Sequence, residues 1–378
     1  MIKNFLKKIL NYNKYTRRFY KLITIFRTTI IIKESGKRKG YPKVLQLPIT
    51  NKCNSNCVMC NIPNINKKKE ISLNEFNNIL KDPIFKQIES VGVNGGEPYL
   101  LNDLFNYIEV LIKNLTNLKN ISIISNGFCT DKILSVTPKI HTLCKENNIK
   151  LNLTISLDGY KEIHDKVRGV IGAFNRTEKT IESIYENIEK YADNFSLACT
   201  VVRQNVDNLI ELDEYCKLKG YSINYRLGIK NLRIDNELLM DSFSVLSDKR
   251  AKQLATEFFF DRFKETNDFK YYAIYKYLAY NSVRALGCDW KENGITMDPY
   301  GNIYYCAVES KKIGNLKEDS GEDKFFNKNN INYRADIIKN KCNNCIHDYC
   351  GTVTFNETIN YYKELHKSSI FLKSYRRN

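Results

Sequence analysis

The chain has 378 residues, of which 43% are hydrophobic and 27% charged, and its formal net charge is +17. This size allows one large domain and a smaller one, and the composition is that of a globular protein. No run reaches the ~18 apolar residues of a membrane span, and the N-terminus lacks the pattern of a signal peptide. We therefore expect a cytoplasmic protein, in which the 12 cysteines serve metal binding or catalysis rather than disulfides.

Most of the excess charge lies in the first 40 residues, which contain 12 Lys or Arg and one acidic residue. Apolar and basic residues alternate there at roughly helical spacing. Three interpretations stay open for this segment. It forms a solvated basic helix that covers the next domain, it contacts an anionic membrane surface peripherally, or it attracts a phosphorylated substrate. Because no RNA-binding module is recognisable, nucleic acid is not an expected partner.

Six predicted strands alternate with helical patterns between residues 41 and 230. They are KVLQLPIT, VGVNGGE, ISIISNG, KLNLTISLDG, FSLACTVVR and YSINYRLGI. This alternation predicts an α/β fold with a partial (β/α)6 TIM-like barrel. Sites in such barrels lie at the C-terminal ends of the strands. The motifs CNSNCVMC, GGEP, SNG and SLDG all fall at those ends.

The first motif places Cys53, Cys57 and Cys60 on one short loop. Structural zinc takes four ligands, usually as two separated pairs. Three close thiolates suit a [4Fe–4S] cluster whose fourth iron stays open for a small molecule. A zinc loop completed by a distant residue is the alternative. Four isolated cysteines are predicted to be small buried apolar residues: Cys129, Cys144, Cys199 and Cys216.

CNSNCVMC, GGEP and SLDG, in this order on βα repeats, resemble the radical S-adenosylmethionine (SAM) enzymes over residues 41–230. The resemblance implies that the open iron chelates the amino and carboxylate groups of SAM. It implies that the reduced cluster cleaves SAM, and that the resulting 5′-deoxyadenosyl radical abstracts hydrogen from a substrate. A reduced flavodoxin or ferredoxin-type protein is the implied electron donor.

The resemblance also assigns residues to SAM. The SAM-binding set is Gly95, Gly96 and Glu97 at the amino group, Ser125 at the carboxylate or ribose, Ser156 and Asp158 at the ribose, and Arg168 at the carboxylate. These assignments are chemically reasonable, since glycine lets a backbone approach a ligand and a guanidinium fork fits a carboxylate. His164 is either a catalytic base or a structural residue.

A second cysteine group, formed by Cys288, Cys306, Cys342, Cys345 and Cys350, occupies residues 287–352. The sequence after Cys288 predicts a β-hairpin that ends at Cys306. Four of the five cysteines are enough for a zinc site, but the group resembles SPASM and twitch domains, which carry auxiliary [4Fe–4S] clusters. A full SPASM domain has seven cysteines. We therefore expect one auxiliary cluster, or two completed by ligands such as His347 or Asp348.

One residue bears on the reaction. Sulfatase-maturing relatives carry an aspartate base after the hairpin's second cysteine, whereas this chain has Ala307. That reaction is therefore disfavoured, and Asp289 is a substitute candidate for the base.

The extension before the barrel is also too short for a winged-helix peptide-recognition domain. We expect an oxidoreductase or epimerase-type reaction on a small molecule, such as a carbohydrate or lipid-linked compound. The alternatives are peptide or protein modification and a non-catalytic iron–sulfur or zinc protein.

The expected organisation has five parts. Residues 231–286 are helical in pattern and rich in aromatic residues that we expect to be used for packing. The predicted parts are a basic extension (1–40), the barrel (41–230), a helical bridge (231–286), the auxiliary-cluster domain (287–352) and a basic tail (353–378).

Overall fold

The computed structural model describes residues 40–65, 68–285, 287–347 and 356–364. Residue contacts divide the chain into two units. The larger comprises 41–258 and 290–347, and the smaller comprises 1–40, 259–289 and 348–378. Nearly all of the basic extension, and also Asp348 and Cys350, lie outside the described residues, so the predictions made for them stay predictions.

The larger unit is built on one nine-stranded sheet in the order β6-β5-β4-β3-β2-β1-β7-β8-β9. The strands are β1 (Val44–Thr50), β2 (Ser90–Gly95), β3 (Asn120–Ser125), β4 (Lys150–Ser156), β5 (Asn194–Val201), β6 (Ile223–Leu227), β7 (Gly294–Met297), β8 (Asn302–Tyr304) and β9 (Gly314–Asn315). The first six are parallel and follow one another in sequence order. The predicted α/β fold with a parallel barrel-type sheet is confirmed, and all six predicted strands form.

Helices connect the parallel strands and continue after them. They are α1 (Leu73–Ile79), α2 (Leu104–Asn114), α3 (Thr130–Glu146), α4 (Glu162–Arg168), α5 (Ala173–Tyr185), α6 (Ile188–Tyr191), α7 (Leu209–Lys219), α8 (Met240–Phe243), α9 (Lys249–Thr266), α10 (Phe269–Tyr280), α11 (Asp289–Asn293), α12 (Gly321–Phe326) and α13 (Lys328–Asn340). Residues 356–364 are also helical.

Strand alternation separates an apolar face from a polar one. In β3, Ile121 and Ile123 are fully buried, whereas Ser122 between them faces the other way. Helices α3 and α5 pack against the neighbouring strand β4. On the opposite face, the Asn152 amide donates to Ser122 Oγ at 3.2 Å. The face of the sheet opposite these helices therefore carries polar side chains, which suits a site for a polar ligand.

The hairpin differs from its prediction in two ways. Residues 289–293, predicted to begin the first hairpin strand, form helix α11. A Cβ at Gly294 would come within 2.3 Å of the Trp290 ring, so the helix packs closely onto the start of β7, which begins only at this glycine. Strand β7 then pairs in parallel with β1. The hairpin thus extends the barrel sheet. Strand pairing therefore continues from the barrel into residues 287–352, the predicted auxiliary-cluster domain.

The described part of the smaller unit is helical and held by aromatic packing, as the sequence predicted. Phe263, Phe269 and Tyr272 surround Tyr361, with ring centroids 5.2–5.5 Å apart. The Tyr361 hydroxyl donates to the Asn267 carbonyl at 2.5 Å.

In both units, no helix within the described ranges has the length and apolar character needed to cross a membrane.

Candidate active site

The loop after β1 carries Cys53, Cys57 and Cys60 into one cleft at the C-terminal ends of the parallel strands. Its backbone is held from two sides. Asn56 and Val58 donate to carbonyls at the end of α4, at 2.9 and 3.0 Å. From the segment after β6, the Asn236 side chain donates to the Met59 carbonyl at 2.9 Å. The loop is therefore fixed to the barrel before any ligand is bound.

Gly95 and Gly96 at the end of β2 also line this cleft, but the structure gives them a different main task. Gly95 has φ +141°, a conformation that residues with a side chain rarely adopt. A Cβ at Gly96 would lie 2.1 Å from the Lys52 carbonyl oxygen, and Gly96 N–H donates to the Thr50 carbonyl at 2.6 Å. The glycines allow the end of β2 to pack directly on the start of the cysteine loop.

Glu97 lies behind the cleft rather than in its described lining. It is 1% exposed. One carboxylate oxygen accepts from Tyr99 N–H and Ser125 Oγ, and the other accepts from Asn126 N–H at 2.7 Å. Burial raises the pKa of Glu97, while these hydrogen bonds favour the ionised form. We therefore interpret it as a positioning residue for Ser125 and Asn126, both of which line the cleft, and its contact with the SAM amino group stays a prediction.

Asp158 and Arg168 form the charged centre of the cleft, next to Ser156. Arg168 Nη2 lies 2.6 Å from Asp158 Oδ2, and Thr200 N–H donates to Asp158 Oδ1 at 2.6 Å. Arg168 Nη1 also donates to Cys57 Sγ at 3.6 Å. The buried Arg168 Nε has no hydrogen-bond partner among the described residues. This arginine thus links the cysteine loop to the carboxylate and keeps a donor for a further acceptor.

His164 supports the cleft from behind in this arrangement, and its role as a catalytic base stays a prediction. Its side chain is fully buried and does not line the cleft. Asp158 N–H donates to His164 Nδ1 at 3.0 Å, so the hydrogen-bond pattern assigns the proton to Nε2, 3.4 Å from Thr177 Oγ1. The imidazole supports the backbone of Asp158 from behind.

The buried imidazole makes stability depend on pH. Burial lowers the pKa of His164 well below its usual value of 6.5, and the nearby Arg168 adds to this. As the pH falls below about 6.5, the unfolded protein binds a proton at this site that the folded protein does not, so stability is lost. We expect the loss of unfolding free energy between pH 7.5 and 5.5 to be smaller in His164→Gln than in the wild type. Urea unfolding at both pH values measures this difference, and equal losses would contradict it.

Several cleft residues were missed by the sequence analysis. They are Thr200, Arg226, Asn231, Arg233 and Asn236, which follow or end β5 and β6, and His347, which had been considered only for an auxiliary cluster. The alternation in β6 was sufficient to place Arg226 on the polar face, paired in register with Thr200. Nothing in the local pattern places Arg233, because it lies in the short 3-10 helix Leu232–Ile234 after the last parallel strand.

The auxiliary cysteines are only partly described. Cys306 follows β8 and accepts from Glu309 N–H at 3.4 Å, and Cys342 and Cys345 lie in the turn after α13. Cys288 belongs to the other unit, the Asp289 side chain is not described, and Cys350 lies outside the described residues. Within those residues, no three Cys, His, Asp or Glu side chains converge on one metal ion. The ligand set of an auxiliary cluster therefore stays a prediction.

Comparison with known proteins identifies the barrel. The model of the radical SAM superfamily matches residues 47–216. Residues 47–216 are therefore a radical SAM domain. A probable GTP 3′,8-cyclase of Methanococcus aeolicus is 27% identical over 232 residues, which cover 59% of this chain and 72% of the relative. The sporulation killing factor maturation protein SkfB of Bacillus subtilis is 25% identical, over 51% of this chain and 44% of SkfB.

The fold extends the similarity beyond the barrel. A structure of anSMEcpe with bound AdoMet and a peptide superposes with a TM-score of 0.54, at 18% identity, and covers 87% of this chain and 97% of that one. Among the GTP cyclases, in contrast, the matched region covers as little as 46% of the relative. The domain at residues 47–216 is that of a radical SAM enzyme, whose cofactors are a [4Fe–4S] cluster and SAM. These similarities do not identify the substrate of this chain.

The cleft fits these cofactors chemically. Its donor set contains three thiols on one loop, and three thiolates on separate irons need not converge on a single point, as ligands of one metal ion must. Burial raises the pKa of Cys53 to about 12 and also raises the pKa of Cys60. Both therefore need the positive charge of iron to become thiolates. The buried Arg168 Nε and Asn94 Oδ1, each without a described partner, are available to a polar ligand such as SAM.

Proposed function

We propose that this enzyme uses a [4Fe–4S] cluster held by Cys53, Cys57 and Cys60 to cleave SAM and abstract hydrogen from a C–H bond of a small molecule. The observation that carries the proposal is the packing of this loop against Arg168, with the glycines of β2, Ser156 and Asp158 lining the same cleft. When bound, the cluster supplies one electron that breaks the S–C5′ bond of SAM.

The protein's own residues hold and orient the ligands. Arg168 donates to the Cys57 sulfur and keeps its Nε for an acceptor on SAM, for which the carboxylate is the best match. The Asp158 ion pair with Arg168 is almost completely buried. Because both charges are out of water, the guanidinium is held in one orientation before SAM enters. Ser156 and Asn126 line the cleft close by and supply polar contacts for the amino-acid or ribose part.

The preferred reaction remains the oxidation or epimerisation of a small molecule. The similarity to GTP 3′,8-cyclases over more than half of this chain supports a small, polar substrate. A reduced flavodoxin or ferredoxin-type protein is the proposed electron donor. Cys288, Cys306, Cys342, Cys345 and Cys350 are proposed to hold an auxiliary [4Fe–4S] cluster that accepts the substrate electron in an oxidation.

Modification of a peptide or protein is the second candidate. It is supported by the similarity to SkfB, a maturation protein. Peptides that carry deuterium on Cα or on their side chains, and deuterated small molecules, distinguish the two candidates. Deuterium transferred into 5′-deoxyadenosine identifies the class of substrate that donates the hydrogen atom.

The proposed cluster site is tested by Cys57→Ala. Protein reconstituted anaerobically with iron and sulfide is given dithionite and SAM, and 5′-deoxyadenosine is measured by mass spectrometry. Since even outer-shell changes at metal sites cost about 10–100-fold, we expect removal of a ligand to reduce the product at least about 100-fold. Cys144→Ala, a buried cysteine in α3 away from the cleft, is the matched control and should retain the activity. Equal activity of Cys57→Ala and the control would refute the assignment.

A further inference from the structure

Two further arginines line the cleft on the side of β5 and β6. Arg226 is near the end of β6, where it pairs in register with Thr200, and its Nε lies 3.4 Å from Thr200 Oγ1. Arg233 follows in the 3-10 helix Leu232–Ile234, whose backbone is fixed to the segment after β8 by two hydrogen bonds. Both guanidinium groups belong to the larger unit and to the same cleft.

Neither arginine forms an ion pair with a carboxylate among the described residues. Arg233 Nε is buried and has no hydrogen-bond partner there, and no described carboxylate is within ion-pairing distance of either guanidinium. The groups that act on Arg233 electrostatically are first the thiol of Cys60, which is assigned to the cluster, and then Asp298 and the Tyr304 hydroxyl. The oxygens of Asp298 already accept from Tyr300 N–H, from Asn302 and from the Tyr304 hydroxyl, all within the hairpin. Both carboxylate oxygens of Asp298 are therefore occupied by hydrogen bonds within the hairpin.

The charges of the bound cofactors do not neutralise these arginines. Arg168 and Asp158 neutralise each other. Three thiolates give an oxidised [4Fe–4S] cluster one net negative charge. SAM that chelates iron through a neutral amine and a carboxylate has no net charge, because its sulfonium offsets the carboxylate. The two guanidinium groups therefore exceed the charge of the loaded cofactors by one positive charge. Arg233 Nε is buried, and a desolvated charge is costly unless it is paired, whereas the exposed Arg226 supplies a second cation at the same side of the cleft. The loaded cleft therefore favours an anionic ligand on this side.

We propose that the substrate carries a phosphate group, and that Arg226 and Arg233 bind it. This rests on the proposed function, since it concerns the substrate of the same cleft. Arginine donates paired N–H groups in a planar fork that fits phosphate oxygens, and the charge of a phosphate monoester matches two guanidinium groups better than that of a carboxylate. Thr200 Oγ1 and His347 line the same cleft as additional polar groups. The arginines thus determine substrate class, separately from the residues assigned to SAM.

The test measures the binding of inorganic phosphate to the reconstituted, SAM-loaded full-length protein. Binding is detected from the line width of the phosphate signal in 31P NMR titrations at constant ionic strength. We expect Arg226→Gln and Arg233→Gln each to weaken phosphate binding at least about tenfold. Arg250→Gln is the matched control, because Arg250 is exposed and paired with Asp207, and it should bind phosphate like the wild type. Arg233→Lys keeps the charge and should lose less than Arg233→Gln.

Arg226 is exposed, so its variant is expected to fold even if replacement of Arg233 disturbs the neighbouring Cys60. No phosphate binding by the wild type, or unchanged binding by Arg226→Gln, would overturn the proposal. So would acetate that binds as tightly as phosphate with the same arginine dependence, since it would assign a carboxylate instead. Formation of 5′-deoxyadenosine without substrate is measured on the same samples. Cleavage of SAM without phosphate binding refutes this inference alone, whereas a wild type that neither binds nor cleaves SAM refutes the proposed function.

Discussion

Replacing Asp158 with asparagine is expected to lower the free energy of unfolding by about 3–5 kcal/mol, because it leaves Arg168 buried without its counter-charge. The Asp158 side chain is fully buried and that of Arg168 is 11% exposed, with 2.6 Å between their charged atoms. Asparagine keeps the size of the side chain, so the loss reports the charge rather than a cavity. The change in urea midpoint, converted with the measured slope, gives the difference in free energy.

A matched pair on the surface provides the control. Asp207 and Arg250 are 2.7 Å apart, but both side chains are mostly exposed. Asp207→Asn should therefore change the free energy of unfolding by less than about 1 kcal/mol. We also expect Asp158→Asn to weaken SAM binding at least about tenfold, since the guanidinium loses the group that orients it. Similar small effects of both variants would show that the Asp158–Arg168 pair does not organise the cleft.

Gly96→Ala is expected to cost at least about 2 kcal/mol of stability and to lower the iron content of the reconstituted protein. The added methyl group would lie 2.1 Å from the Lys52 carbonyl oxygen, and this atom belongs to the backbone, which cannot rotate away. The start of the cysteine loop must then move away from β2. Because the three thiols share this loop, the displacement is expected to disturb the cluster site directly.

Gly92→Ala on the same strand is the control for this effect. A Cβ at Gly92 would have nothing within 4 Å, so the substitution should leave iron content and stability close to those of the wild type. Iron and sulfide analysis together with the absorbance of the reconstituted cluster provides the measurement. Full iron loading of Gly96→Ala would show that the contact between β2 and the cysteine loop is not needed to form the site.

The sequence by itself determined the parallel barrel and the position of the cysteine loop. Both follow from local features: strand segments of period two alternate with helical segments, and parallel strands bring their C-terminal ends together. For the same reason Ser125, Ser156 and Asp158 could be placed near one another from their strand ends alone. The hairpin was predicted less well, because residues 289–293 have an alternating pattern but form α11 next to Gly294.

Only the tertiary structure decided what individual polar residues do. A motif places Glu97 and His164 near the site, but only the structure places both side chains behind the cleft, hydrogen-bonded to Asn126 and Asp158. Arg233 could not be found at all from the sequence, because it reaches the cleft from an irregular segment after the last parallel strand. Direction, burial and the presence of a counter-charge depend on residues distant in sequence. The sequence therefore gives the chemical character of each residue. The folded arrangement is needed to propose which residues support the cleft, which bind the cofactors and which bind the substrate.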